Sequence, residues 1–230
     1  MTHPLMAYLD TPAQPQQQAE QGGAYKFQGE VAVGYDAKRE SQPKWVVEQK
    51  IITDWLSELP PGTSVLDCPV GTGRFLKTFV EKQLPFTGLD VSGDMLVQSA
   101  LKLLPEDKVA AWVKACNTKN ELIPLRIEGK GVLAPADIRQ TGAPDKAVDV
   151  AVNCRITRWL MGNHGPDGIR AMLKEMQRVA RKQIILTARV RDHKFAVTEE
   201  LIESALQGWK ISRNVAGFEL NYRVMMLEPA

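Results

Sequence analysis

The stretch Val65 to Leu76, Val-Leu-Asp-Cys-Pro-Val-Gly-Thr-Gly-Arg-Phe-Leu, limits more than any other what this chain can fold into. Val65 and Leu66 suit a buried strand, whereas Pro69, Gly71 and Gly73 cannot continue one, so the backbone turns directly after Asp67. Phe75, Leu76, Phe79 and Val80 then recur at helical spacing. Free N–H groups at that helix start would face the crest of the sheet beside Asp67. Glycine has no Cβ, so a ligand can lie almost on the main chain there. The pattern is a cradle for a small molecule.

The turn is not built for a dinucleotide. That fingerprint needs Gly or Ala three places after its second glycine, for close helix–strand packing, and here the place holds Leu76. Asp67 also sets a negative charge where a pyrophosphate would sit, so the site suits a cation. On these residues the sequence resembles the class I S-adenosylmethionine-dependent methyltransferases, whose first motif runs Asp/Glu-x-Gly-x-Gly-x-Gly. Asp67, Gly71 and Gly73 match, and Pro69 replaces the first glycine, as in the branch whose loop reads Pro-Cys-Gly-Thr-Gly-Arg.

Later motifs follow in the order of that family. Phe86-Thr-Gly-Leu-Asp is a second strand closing on Asp90, and Ser92 can cap a helix carrying Met95, Leu96 and Ala100. The resemblance implies that Asp90 receives both ribose hydroxyls, with Val91 and Met95 beside the cosubstrate. Gly131 to Arg139 resembles the third motif, which assigns the adenine amino group to Asp137 and the ring cover to Ile138. Val148 to Val152 is a further buried strand, and its exit at Asn153 is the fourth motif position, where methyl meets acceptor. By the same resemblance, Tyr35 and Arg39 in Val31 to Arg39 face the methionine end, Arg39 pairing its carboxylate; a surface arginine beside a docking tyrosine is the competing reading.

The implied fold is α/β: a Rossmann-like, doubly wound, seven-stranded sheet, mostly parallel with an antiparallel last strand. A chain of 230 residues with 44% hydrophobic positions buries one full core. Residues 1–24, rich in Gln and Pro, read as a disordered tail, 25–60 as an N-terminal cap segment and helix, and 61–230 as the binding domain. An insertion at about 105–132 reads either as a helix and hairpin at the sheet edge or as a lid. Cys68, Cys116 and Cys154 show no Cys-x-x-Cys spacing, which argues against disulfides and zinc. With no apolar run of membrane-spanning length, the expectation is a cytoplasmic protein without a membrane partner.

Adenosylmethionine already carries an activated methyl group, so the protein's main task would be to align an acceptor, leaving S-adenosylhomocysteine as product. If a base is needed, His164 and His193 lie on loops that this topology directs to the active face. Arg74, Arg155, Arg158, Arg189, Arg191 and Lys194 all follow strand ends, with Trp159 among them, and suggest an anionic small-molecule acceptor bound by Arg155, Arg158 and Trp159. Ordinary solubilising surface explains the same residues equally well. The net charge of +2 does not make nucleic acid the default partner, although a nucleic-acid methyltransferase stays open. Lyase or aminocarboxypropyl chemistry on the same cosubstrate, and a noncatalytic binding subunit, also stay open.

Overall fold

The computed structural model describes residues 27–190, 195–216 and 222–230. The expected tail at 1–24, His193, Arg191 and Lys194 lie outside them. A short helix α1 (Glu30–Val33) precedes α2 (Pro43–Ser57), whose first position is Pro43, where a fixed φ and a missing N–H cost nothing. The chain then alternates through β1 (Val65–Asp67), α3 (Leu76–Glu81), β2 (Phe86–Asp90), α4 (Gly93–Leu101) and α5 (Glu106–Lys119). A hairpin of β3 (Leu125–Ile127) and β4 (Gly131–Pro135) leads to β5 (Val148–Asn153), α6 (Thr157–Val179) and β6 (Ala180–Arg189). After α7 (Glu199–Ala205), strands β7 (Trp209–Ala216) and β8 (Tyr222–Pro229) complete the chain.

All eight strands form one sheet in the order β3-β4-β2-β1-β5-β6-β8-β7. Strands β4, β2, β1, β5 and β6 run parallel, and β8 lies antiparallel between β6 and β7. The sequence led us to expect seven strands; the eighth is β3, which pairs antiparallel with β4 at the edge. With α5 it makes the segment at 105–132 a helix and hairpin on the sheet edge.

The sheet is buried on both faces, and the strand side chains divide between them with period two. Val65, Phe86, Val150, Val152 and Ile185 pack with Ile52, Leu56, Phe79, Leu96 and Val109 from α2 to α5. Leu66, Ala151, Ile184 and Leu186 face Ile169, Met172, Leu173 and Met176 of α6 and Ile202 of α7, and Val148 joins them through a register irregularity before Val150. Helix α6 kinks at Gly165 (φ 61°), ahead of Pro166. Helix α3 begins only at Leu76, later than the apolar spacing suggests, because Gly71 (φ 57°) and Gly73 (φ 77°) hold the intervening backbone in the left-handed region.

Strand β4 sits against β2 so closely that a Cβ on Gly131 would collide with the Phe86 carbonyl oxygen and ring. Gly131→Ala therefore destabilises the fold by about 1–3 kcal/mol, read as a lowered urea midpoint at unchanged slope.

Candidate functional site

Strand order reverses between β2-β1 on one side and β5-β6 on the other, and the crevice at their carboxyl tips is where such sheets bind ligands. A cavity of about 840 Å³, counted with its open mouth, occupies it. Its floor is the turn after β1, from Pro69 to Thr72; Asp90 to Ser92 with Met95 make one wall, and Cys154 to Ile156 with Trp159 the other. Phe27, Tyr35 and Trp45 close the top through edge-on ring contacts of 6.0 and 6.1 Å. Polar bonds strap this cover down. Ser92 Oγ donates to the Phe27 carbonyl (2.7 Å), Gly29 N–H to Asp94 (2.7 Å), and Asp36 receives Thr72 Oγ1 and Lys102 Nζ, each at 2.6 Å.

Two buried acids face the cavity. Asp90 accepts from Gly71 N–H and Ser92 N–H at 2.9 Å each, so it pins the β1 turn to the start of α4. Burial pushes its carboxyl up to about 6, opposed by those N–H groups. Asp67, 2% exposed, has no hydrogen-bond or ion-pair partner among the described residues. Burial first, and then the Asp90 charge, push it well above the ordinary carboxylate range, against a smaller pull from Arg74. A cation arriving beside Asp67 would relieve that cost. At Gly71, where the backbone turns left-handed, a Cβ would meet no atom within 4 Å, so the main chain there is bare toward the ligand space. Gly73 serves packing instead: a Cβ there would strike Leu76 and Ser99 Oγ.

On the far side, Glu48 is 1% exposed and receives Arg74 Nη1 (2.5 Å) and Arg155 Nε (2.7 Å). The Arg74 guanidinium stacks on the Trp45 ring at 3.7 Å, and that of Arg155 lies 5.0 Å from Trp45 and 5.4 Å from Tyr222. Arg155 Nη2 is buried with no hydrogen-bond partner among the described residues.

Several solved structures with which this chain shares its architecture are named as methyltransferases. Magnesium protoporphyrin IX methyltransferase from Synechocystis PCC 6803, with S-adenosylmethionine bound, superposes with a TM-score of 0.61 at 16% identity, over 90% of this chain and 95% of its own. The fold is that of the S-adenosylmethionine-dependent methyltransferases. Others of this fold include one from Clostridium acetobutylicum (TM-score 0.59, 14% identity, 87% and 97% of the two chains) and a TehB-like one from Corynebacterium glutamicum (0.57, 13%, 87% and 99%). No family model matches the sequence, and no curated protein does.

Within this methyltransferase fold the cavity gathers Asp67, Gly71, Asp90, Val91, Met95, Tyr35, Arg155 and Trp159 of the residues singled out from sequence. It does not gather the others. Arg39 lies outside it, stacked over the Tyr35 ring at 4.9 Å. Asp137 is taken up by Arg139, whose Nε and Nη2 reach its carboxylate at 2.6 to 3.2 Å; burial would raise this carboxyl, but the Arg139 bonds outweigh it and hold it low. Ile138 is buried in the α6 side of the core, and Asn153 is buried with its amide on the Cys68 carbonyl (3.0 Å). His164 packs edge-on against Trp159 and meets Arg139 at 3.1 Å, away from the cavity lining, and Arg158 is exposed. Phe27, Ser92 and Glu48 were missed. Glu48 left a signal: an acid three places after Trp45 and four before Ile52, on the apolar stripe of α2.

The raised Asp90 carboxyl sets a pH dependence. The folded chain holds this proton more tightly than the unfolded one, so the group stabilises the unliganded fold below its unfolded value and loses that contribution as pH rises through about 6. A ligand hydroxyl donates best to the ionised carboxylate. The rise in Tm caused by saturating S-adenosylhomocysteine is therefore larger at pH 7.5 than at pH 5 in scanning fluorimetry, and this difference disappears in Asp90→Ala.

Proposed function

We propose that this chain is an S-adenosylmethionine-dependent methyltransferase that acts on a small, negatively charged acceptor. The observation that carries the reading is Asp67: a buried carboxylate without a partner among the described residues, at the tip of β1, beside bare main chain at Gly71 and the second acid Asp90. An ammonium group answers Asp67, and a sugar's hydroxyls answer the lone pairs that Asp90 keeps after its two backbone bonds. Adenosylmethionine carries both, and when bound it supplies a methyl group activated by the sulfonium, leaving as S-adenosylhomocysteine.

The chain's own contribution is positioning. Phe27, Tyr35 and Trp45 cover the cavity and exclude water, and Ile156 and Trp159 present an apolar wall on which an acceptor can lie. Holding acceptor and methyl group in line is worth on the order of 7–11 kcal/mol of barrier. A small acceptor fits the size of the cavity, and one solved neighbour is named for a small molecule, magnesium protoporphyrin IX. Negative charge on it is favoured by Arg155 in the cavity lining and, outside that lining, by exposed Arg158 and by Arg189, whose buried Nε has no hydrogen-bond partner among the described residues. His164 is engaged with Arg139.

Calorimetry on the full chain is expected to show S-adenosylhomocysteine binding, weakened about tenfold or more in Asp67→Asn. Heat from a nicotinamide dinucleotide and none from S-adenosylhomocysteine overturns the reading. With an acceptor found by mass-spectrometric screening for a gained methyl group, Arg158→Glu together with Arg189→Glu raises its KM while the affinity for S-adenosylhomocysteine stays the same.

A further inference from the structure

Arg189, the last residue of β6, is half-buried, and among the described residues its side chain has no hydrogen bond and no ion pair; its Nε is buried outright. Its cross-strand partner is Tyr222 of β8, and its guanidinium carbon lies 5.7 Å from the centre of that ring. A second guanidinium, that of Arg155, reaches the same ring at 5.4 Å. The register of the sheet explains the meeting. Arg155 N–H donates to Thr187 Oγ1 at 2.9 Å, and Thr187 stands two residues before Arg189, on the same face of β6.

The protein leaves this pair of cations short of negative charge. The Arg155 side chain, 10% exposed, spends Nε on Glu48 and keeps Nη2 buried without a hydrogen-bond partner among the described residues. Glu48 is shared with Arg74 and makes no ion pair with Arg189. The face of the Tyr222 ring draws both guanidiniums, but a ring quadrupole neither neutralises a charge nor accepts a buried N–H as an oxyanion does. Two positive groups at one ring, each with a donor nitrogen out of water and unanswered, therefore carry a desolvation cost that an arriving anion relieves.

We propose that Arg189, Arg155 and Tyr222 form the subsite for an oxyanion, carboxylate or phosphate, carried by the methyl acceptor. The assignment rests on the methyltransferase reading and narrows it. Arg155 lines the cavity together with Ile156 and Trp159, whereas Arg189 and Tyr222 lie outside that lining, toward β8. The acceptor is then a molecule with an apolar body against Ile156 and Trp159 and an acid at its outer end. Arg189 makes the ion pair, and Arg155 adds the Nη2 donor from the cavity side.

The test uses the full chain saturated with S-adenosylhomocysteine, at matched ionic strength, and two pairs of probes: benzoate with benzamide, and phenyl phosphate with phenol. Within each pair the ring stays and the charge goes. Calorimetry is expected to show at least one acid binding about tenfold or more tighter than its neutral partner, and the acid that binds tighter names the oxyanion. Arg189→Gln removes that preference while the affinity for S-adenosylhomocysteine stays at the wild-type value. A preference that survives Arg189→Gln puts the anion elsewhere and overturns the subsite. So does a wild type that binds neither acid tighter than its neutral partner, a comparison that needs no variant to fold. A wild type that fails to bind S-adenosylhomocysteine defeats the methyltransferase reading itself, whereas one that binds it and ignores charge in both pairs defeats the oxyanion subsite alone.

Discussion

A carboxylate taken out of water must find donors or a counter-charge, and this molecule is arranged around two that were taken out together. Asp90 finds its donors in the main chain, and in doing so ties the loop after β1 to the loop after β2. Ser99 completes that tie from α4 by donating to the Gly71 carbonyl at 2.7 Å. The loop is thereby held open as a cradle. Asp67 is left without a donor among the described residues, a cost that a positive group placed beside it would relieve.

The cover is the second part of the same electrostatic problem. Residues 27–40 lie over the cavity because their polar groups find partners on the sheet side, at Ser92, Asp94, Thr72 and Lys102, while Phe27 and Tyr35 turn their rings inward. Helix α2 adds Trp45 and Glu48, so a helix outside the parallel sheet sets both the stacking surface and the orientation of two arginines. The cavity is therefore lined both by the strand tips and by the segment before β1. No helix among the described residues is long and apolar enough to cross a membrane.

Local chemistry wrote much of this in advance. Pro69 and the two glycines enforce a turn wherever the strand before them goes, Ser92 caps α4 by accepting Met95 N–H on its Oγ, and near-continuous apolar runs bury β5 and β6 on both faces. Asp67, Gly71, Asp90 and Met95 could be read as one site because each stands within a few residues of a strand tip. Strand β3 could not be told from a lid, since three residues carry too little periodicity to separate a strand from a loop.

What the sequence by itself determined is thus the sheet, its crest and the two acids on it, all set by spacing along the chain. Only the tertiary structure decided which arginines pair with which other acids. Arg155 meets Glu48 across 107 residues of sequence, while Arg139, two residues from Asp137, closes on that acid and keeps it from the cavity. The physical reason is reach: a turn or a cap is satisfied by its immediate neighbours, whereas a guanidinium on a flexible stem takes whichever carboxylate the assembled fold brings within hydrogen-bond distance.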